Sequence, residues 1–321
     1  MNGMQAPAIA VEGLTKTYGR GPKTVEALRG IDLAVESGTV FGLLGANGSG
    51  KSTLVRVLST LAAPTAGTAY VGGVDVVAEP KKARAAIGVT AQQTTLDQRL
   101  SGRENLRIIG RLCRLTKAAA RARADELLEK YDLVEASDRP VSTYSGGMRR
   151  RLDILASLIL QPSVLFLDEP TTGLDPRSRN DIWDAVKELA GHGTTVFLTT
   201  QYLDEADRLA DRVVLLDAGR IVADGTPRSL KERIGVRLTV VLEEQRADVS
   251  AAAVLEALGV RDLAVDATPD ETSITGLVSA GTLTLPVILD ALTGAGVRVA
   301  DIGLHEPTLD QAYLALTGAQ R

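Results

Sequence analysis

Aromatic residues make up only 3% of this 321-residue sequence. Base-stacking platforms for single-stranded nucleic acid are built from such rings, so that mode of binding is disfavoured. Positive charge is not in excess: Lys and Arg total 36 against 40 Asp and Glu, a net charge of −4. A general binder of phosphate backbones carries the opposite balance. A single cysteine, Cys113, excludes an intrachain disulfide and fits a reducing compartment. No stretch approaches the roughly 18 uninterrupted apolar residues of a spanning helix. The most apolar one, Ile154 to Leu167, is broken by Gln161 and Pro162. Met1 to Ala10 has no basic start and no long apolar centre, so no secretion signal is read there. What remains is a 45% hydrophobic chain, long enough for two ordinary domains.

The strongest local signal is Gly45-Ala46-Asn47-Gly48-Ser49-Gly50-Lys51-Ser52-Thr53. It fits the phosphate-binding loop G-x-x-x-x-G-K-[ST]. The apolar run Thr39–Leu44 reads as a buried strand before it, and Thr53–Leu61 as the helix after it. Gly48 and Gly50 have no side chain to block a polyphosphate, so backbone N–H groups can turn inward and form an anion nest. The helix starting near Lys51 adds its partial positive end. The Lys51 ammonium suits β- and γ-phosphates, and the Ser52 hydroxyl suits Mg²⁺, a hard ion that keeps oxygen ligands.

A second signal is Ser163-Val164-Leu165-Phe166-Leu167-Asp168-Glu169, an apolar strand ending in two carboxylates. A buried parallel strand delivers Asp168 to the carboxyl edge of the sheet, where doubly wound folds bind ligands. Asp168 there can hold Mg²⁺ directly or through water. Glu169 points differently and can orient or deprotonate a water. Ser145-Gly146-Gly147 caps a helix running from about Met148 to Leu160, with donors open to an anion. Arg149, Arg150 and Arg151 read as a solvated face partly paired with Asp153. Tyr18 lies in a turn-rich loop, Lys16 to Pro22, and either stacks on a purine or packs on the sheet; taken alone, packing is the commoner use.

The remaining pattern is α/β up to Gly235. Strands are read at Ile9–Leu14, Ile31–Val35, Thr68–Val74, Ala86–Ala91 and Thr194–Thr200, and a hairpin at Val213–Ala223. A helical insertion fills about residues 94–150, through Arg103–Leu115 and Lys117–Tyr131. A further helix is read at Arg177–Ala190 and a short one at Thr226–Arg233. Residues 236–321 follow the order β-α-β-β-α-β with a closing helix, a ferredoxin-like split-βαβ arrangement. No titratable cluster in that block reads as catalytic. Binding, docking or dimerisation is its default, and fold alone does not choose.

Together these motifs resemble the nucleotide-binding subunit of an ATP-binding-cassette (ABC) transporter over about residues 8–235. The resemblance implies a P-loop ABC domain (residues 1–235) and an accessory domain (236–321). It makes Tyr18 the aromatic that stacks on adenine and Gly45–Thr53 the Walker A loop. Gln92 becomes the glutamine that reaches Mg²⁺ and senses the membrane partner. Tyr144-Ser145-Gly146-Gly147-Met148 is similar to the family signature, with Met148 where glutamine is usual. Asp168 and Glu169 match the Walker B aspartate and catalytic glutamate, and Leu174-Asp175 the D-loop. One position departs: most of the family has histidine where Gln201 stands. Gln201 can donate an amide N–H to the γ-phosphate but cannot take up a proton as imidazole can. Hydrolysis is then expected to rest on Glu169 and Lys51, with Gln201 beside them. Segments Thr199–Asp207, Gly102–Leu106 and Glu306–Asp310 resemble the daunorubicin-resistance group of drug-exporter ATPases. The resemblance implies ATP and Mg²⁺ as ligands, and a head-to-tail dimer with a second copy or a related ATPase. It also implies a separate membrane permease, a peripheral place on the cytoplasmic face, and efflux of a drug-like or lipid-like molecule. A soluble ABC ATPase acting on nucleic acid is disfavoured by the single cassette and the lack of basic surface. An importer is disfavoured by Gln201 and the tail segments.

Overall fold

The computed structural model describes residues 6–90, 95–243, 248–268, 272–279, 281 and 283–317. The chain divides into two compact units, one ending at Asp224 and one starting at Gly225.

The first unit holds two sheets. Strands β1 (Ile9–Tyr18), β2 (Val25–Val35), β4 (Ala66–Val71) and β5 (Val74–Asp75) form one, in the order β2-β1-β4-β5. Strands β3 (Val40–Leu44), β6 (Ile87–Thr90), β7 (Val164–Asp168), β8 (Thr195–Thr200), β9 (Arg212–Asp217) and β10 (Arg220–Gly225) form the other, ordered β10-β9-β3-β8-β7-β6. The pairs β3–β8, β3–β9, β7–β8 and β6–β7 are parallel. Every residue of β3 and β8 is buried, as a sheet covered on both faces requires. Phe41, Phe197 and Phe166 stack from β3 across β8 to β7, with ring centroids 5.1 and 5.3 Å apart. Because β8 lies between β3 and β7, the loops leaving these three strands share one sheet edge.

The helices of this unit are α1 (Lys51–Leu58), α2 (Pro80–Ala86), α3 (Gly102–Leu112), α4 (Lys117–Lys130), α5 (Gly146–Ser157), α6 (Pro176–Gly191) and α7 (Leu203–Leu209). Helix α3 starts at a capping box: Ser101 Oγ accepts from Glu104 N at 3.2 Å, and Glu104 Oε2 accepts from Ser101 N at 2.8 Å. Three features depart from the sequence reading. Strand β1 continues to Tyr18, opposite Val25, where a loop is expected. Helices α2 and α7, seven residues each, have no counterpart in it. Strand β2 begins at Val25, ahead of the expected start at Ile31, whereas α1 begins at Lys51, directly after Gly50 in the left-handed region, as the loop motif implies.

The second unit contains α8 (Pro227–Glu232), β11 (Val236–Leu242), α9 (Asp248–Ala257), β12 (Arg261–Ala267), β13 (Thr272–Val278), α10 (Leu285–Gly294), β14 (Val299–His305) and α11 (Leu309–Thr317). Its antiparallel sheet has the order β12-β13-β11-β14. Alternation is regular: Leu238, Val240 and Leu242 are buried with Ile274, Leu255, Ile288 and Leu292. Helix α8 packs against α11, and the division falls ahead of the sequence-based boundary at Gly235. No helix among the described residues is long and apolar enough to cross a membrane.

Candidate functional site

Between β3 and α1 the chain has little conformational choice. A Cβ on Gly45 would lie 2.3 Å from Leu216 O and 2.5 Å from Ser49 Oγ. Gly50, at φ 114°, would place one 2.6 Å from Ala27 O. The loop is braced from outside: Gly219 N donates to Ser49 O at 2.9 Å, and Arg29 N donates to Gly219 O at 2.8 Å. Ser49 Oγ is buried without a hydrogen-bond partner, an unused polar atom inside the loop. Lys51 is only 5% exposed, and its Nζ donates to Gly45 O at 2.7 Å and Ala46 O at 3.1 Å. Burial pushes its pKa down, while Glu169 and Asp168 nearby oppose that shift.

A cleft of about 350 Å³ opens over this loop. Asn47, Gly48, Gly50, Lys51, Ser52, Thr53 and Glu169 line it, with Val25 to Ala27 and Arg29 of β2 and the turn Ala218-Gly219. The structure thus brings the glycine loop and the acidic strand end together, as the motifs require. The β2 wall and the 218–219 turn were not legible as site elements. Asp168 Oδ1 accepts from Thr199 Oγ1 of β8. Glu169 has φ 45°, a left-handed conformation that non-glycine residues rarely adopt. Its N–H donates to Thr199 O at 3.0 Å. Gln201 is exposed at the carboxyl end of β8, between the two motifs in sheet order, and is not among the cleft-lining residues.

Tyr18 is 37% exposed at the end of β1, opposite Val25, a cleft residue, with Lys16 Nζ 4.9 Å from its ring centroid. The ring is therefore not consumed by packing. Gln92 lies outside the described residues. Ser145, Gly146 and Gly147 stand at the start of α5, away from the cleft lining; Ser145 Oγ accepts from Met148 N at 3.2 Å. Asp175 caps α6, accepting from Ser178 N at 3.0 Å and Ser178 Oγ at 2.6 Å, which pulls its carboxyl below the usual range. A Cβ on Gly147 would meet that same Ser178 Oγ at 2.7 Å. The signature glycine and the aspartate thus converge on Ser178, which the sequence reading did not single out. Its signal was the run Asp-Pro-Arg-Ser, an N-cap followed by its N3 partner.

The reading of Arg150 as part of a solvated face is corrected. Its side chain is 10% exposed, paired with Asp153 at 3.4 Å, and donates to Pro170 O at 2.9 Å and Asp168 O at 3.1 Å. Burial lowers its pKa against the pull of Asp153. Arg149 and Arg151 are also engaged, with Tyr144 O at 2.6 Å and Asp181 at 3.4 Å.

The donor set suits a polyphosphate: glycine backbone, a buried lysine, an unpaired buried hydroxyl and a helix start. Among the described residues no cluster of three His, Cys, Asp or Glu could hold a metal unaided. Ser52 and Asp168 carry oxygen donors of the kind that a Mg²⁺ ion takes in company with substrate phosphates.

The ABC transporter family profile matches residues 28–172. The chain is 51% identical over 319 residues to the daunorubicin resistance ATP-binding protein DrrA3 of Streptomyces coeruleorubidus, covering 99% of this chain and 98% of that protein. The chain belongs to the ABC transporter family. Its similarity to the doxorubicin resistance ATP-binding protein DrrA of Mycobacterium tuberculosis H37Rv is 48% over 311 residues, 97% of this chain and 93% of that one. Among solved ABC structures, cbiO1 from Clostridium perfringens superposes with a TM-score of 0.65 at 28% identity, over 70% of this chain and 91% of that one. A post-hydrolysis ATP-binding cassette dimer bound to ADP and Pi gives 0.61 at 27% identity, over 68% of this chain and 98% of that one. As an ABC ATPase, this chain binds and hydrolyses ATP.

Proposed function

We propose that this chain powers efflux of a drug-like or lipid-like molecule through a separate membrane permease, from the cytoplasmic face of the membrane. The observation that carries it is one cleft holding the phosphate loop, Lys51 and Glu169, in a chain similar end to end to drug-resistance ATPases. In this reading Tyr18 stacks on adenine. Backbone N–H groups from Asn47 to Thr53 and the Lys51 ammonium hold the phosphates. Ser52, Asp168 and Gln92 hold Mg²⁺, which when bound offsets phosphate charge. Glu169 orients a water and takes its proton as the water attacks the γ-phosphorus in line and the bond to the β-γ bridging oxygen breaks. Gln201 donates an amide N–H to the γ-phosphate.

In the same reading Ser145, Gly146 and Gly147 serve a second subunit's nucleotide, which their position outside this chain's own cleft lining supports. Two chains then pair head to tail, each completing the other's site, with Asp175 near the junction. The partner is a second copy or a related ATPase. The strand order of the second unit supports a ferredoxin-like split-βαβ domain, used for docking, dimerisation or regulation.

The test is a pull-down from detergent-solubilised membranes of the source cells, with tagged Glu169→Gln chain as bait and ATP and Mg²⁺ present. A stoichiometric multi-spanning protein is expected. Ribosomal or DNA-bound proteins without a permease would move the chain to the nucleic-acid-directed ABC class.

A further inference from the structure

Glu169 is held in a conformation that it would not choose. It follows the last residue of β7 and sits at φ 45° without being glycine. Such a backbone persists only where its surroundings over-determine it. Here four consecutive residues are each tied by a different bond. Asp168 O and Pro170 O, on either side, both accept from Arg150, at 3.1 and 2.9 Å. Glu169 N donates to Thr199 O at 3.0 Å. Thr171 Oγ1 donates to Glu205 Oε1 at 2.9 Å.

Two of these anchors are buried ionisable side chains. Glu205, on α7, is 0% exposed, and Trp183 Nε1 of α6 donates to the same Oε1 at 3.1 Å, fixing the carboxylate from behind. Arg150, on α5, is steadied by Asp153. Buried ions are a poor way to gain stability, because apolar side chains of the same volume serve as well or better. Their retention calls for another use, and both are spent on one four-residue segment. Neither residue lines the cleft.

We propose that Arg150 and Glu205 are positioning residues for Glu169: they clamp residues 168–171 from α5 and α7 and so aim the carboxylate at its water. This rests on the reading of Glu169 as the group that orients that water. Glu205 acts as a hydrogen-bond acceptor for Thr171, and its charge is not what the clamp uses.

The experiment is steady-state hydrolysis of Mg-ATP by the full chain. Misplacing a catalytic group by about 1 Å costs on the order of 10²-fold. Arg150→Met, Glu205→Ala and Thr171→Val are each expected to lower kcat by about that factor, with KM for ATP within about threefold of wild type. Glu205→Gln keeps the Oε1 acceptor and is expected to keep kcat within about threefold. Thr171→Val removes one hydroxyl at nearly constant volume, so it decides the matter even where a bolder variant misfolds. In a Glu169→Gln background, Thr171→Val should bring no further loss, since both act through one group. A wild-type kcat in Thr171→Val, a matched change in KM, failure of Glu205→Gln to restore turnover, or an additive loss in that background each overturns the clamp. Wild-type turnover in Glu169→Gln itself would instead remove the assignment of Glu169, and the clamp with it.

Discussion

The two units of this chain bury polar groups very differently. In the first, Lys51, Asp153 and Glu205 are charged and buried, together with a series of hydroxyls. Most of the ones discussed above gather near the carboxyl edge of a parallel sheet. In the second, Thr272 is the only polar side chain among the described residues that is buried, and the core is aliphatic. Buried ionisable groups oppose stability, so they are expected beside a reacting site more than elsewhere. The contrast in buried polar groups favours the first unit as the seat of the chemistry, in agreement with the motifs.

Substitutions can break that contrast. The largest effect is expected from Glu169→Gln, which should lower turnover by about 10²–10⁴-fold while ATP still binds. Phosphate release and equilibrium nucleotide binding, measured side by side, check this. In the second unit, Ile274→Ala should cost about 2–5 kcal/mol of stability and leave turnover per folded molecule unchanged. Calorimetry with a parallel ATPase assay reads both, and a matching loss of turnover would erase the division of labour. Gly147→Ala should cost about 1–3 kcal/mol, because its Cβ must displace a Ser178 hydroxyl that Asp175 already holds. An unaltered melting temperature would contradict that packing.

The smallest effect concerns pH. Burial raises the Glu205 carboxyl above its ordinary value, against the hydrogen bonds that Oε1 accepts from Thr171 and Trp183, with Asp204 adding to the rise and Arg150 the facing cation. A raised folded value means that this group's stabilisation is complete below the unfolded pKa and is lost as pH climbs through the folded one. Glutamine has no such loss. The Tm of Glu205→Gln minus that of wild type should therefore grow as pH rises from the ordinary carboxylate range towards the raised folded value. A constant difference would show that Glu205 titrates as an exposed carboxylate does.

Much of this was legible because the chain's signals are long or periodic. Fully buried parallel strands read as apolar runs, as β3 and β8 show. The glycine loop and acid pair were legible because phosphate binding constrains both spacing and type. Short elements were not: seven residues of α7 give under two turns in which to show a period. Strand β1 ran past its apolar stretch, because Lys16, Thr17 and Tyr18 carry no apolar alternation yet still pair with Leu28, Glu26 and Val25. Arg150 was misread because a run of three arginines does not say which one turns inward. Glu205 had only the look of an ordinary first-turn acid on a helix.

The order of the six-stranded sheet also bears on how the protein is made. Strand β3 pairs only with β8 and β9, so Val40 meets Val196, a partner synthesised long afterwards. The strand that launches the phosphate loop leaves the ribosome with both edges bare and stays so until the chain has passed residue 200. Pairing at such separation carries a large loop-closure cost and slows folding. A nascent chain halted before Thr195 would offer the apolar edges of β3 and β7 to other chains. Assembly of the nucleotide site is therefore a late event of synthesis, although its phosphate loop lies within the first 53 residues.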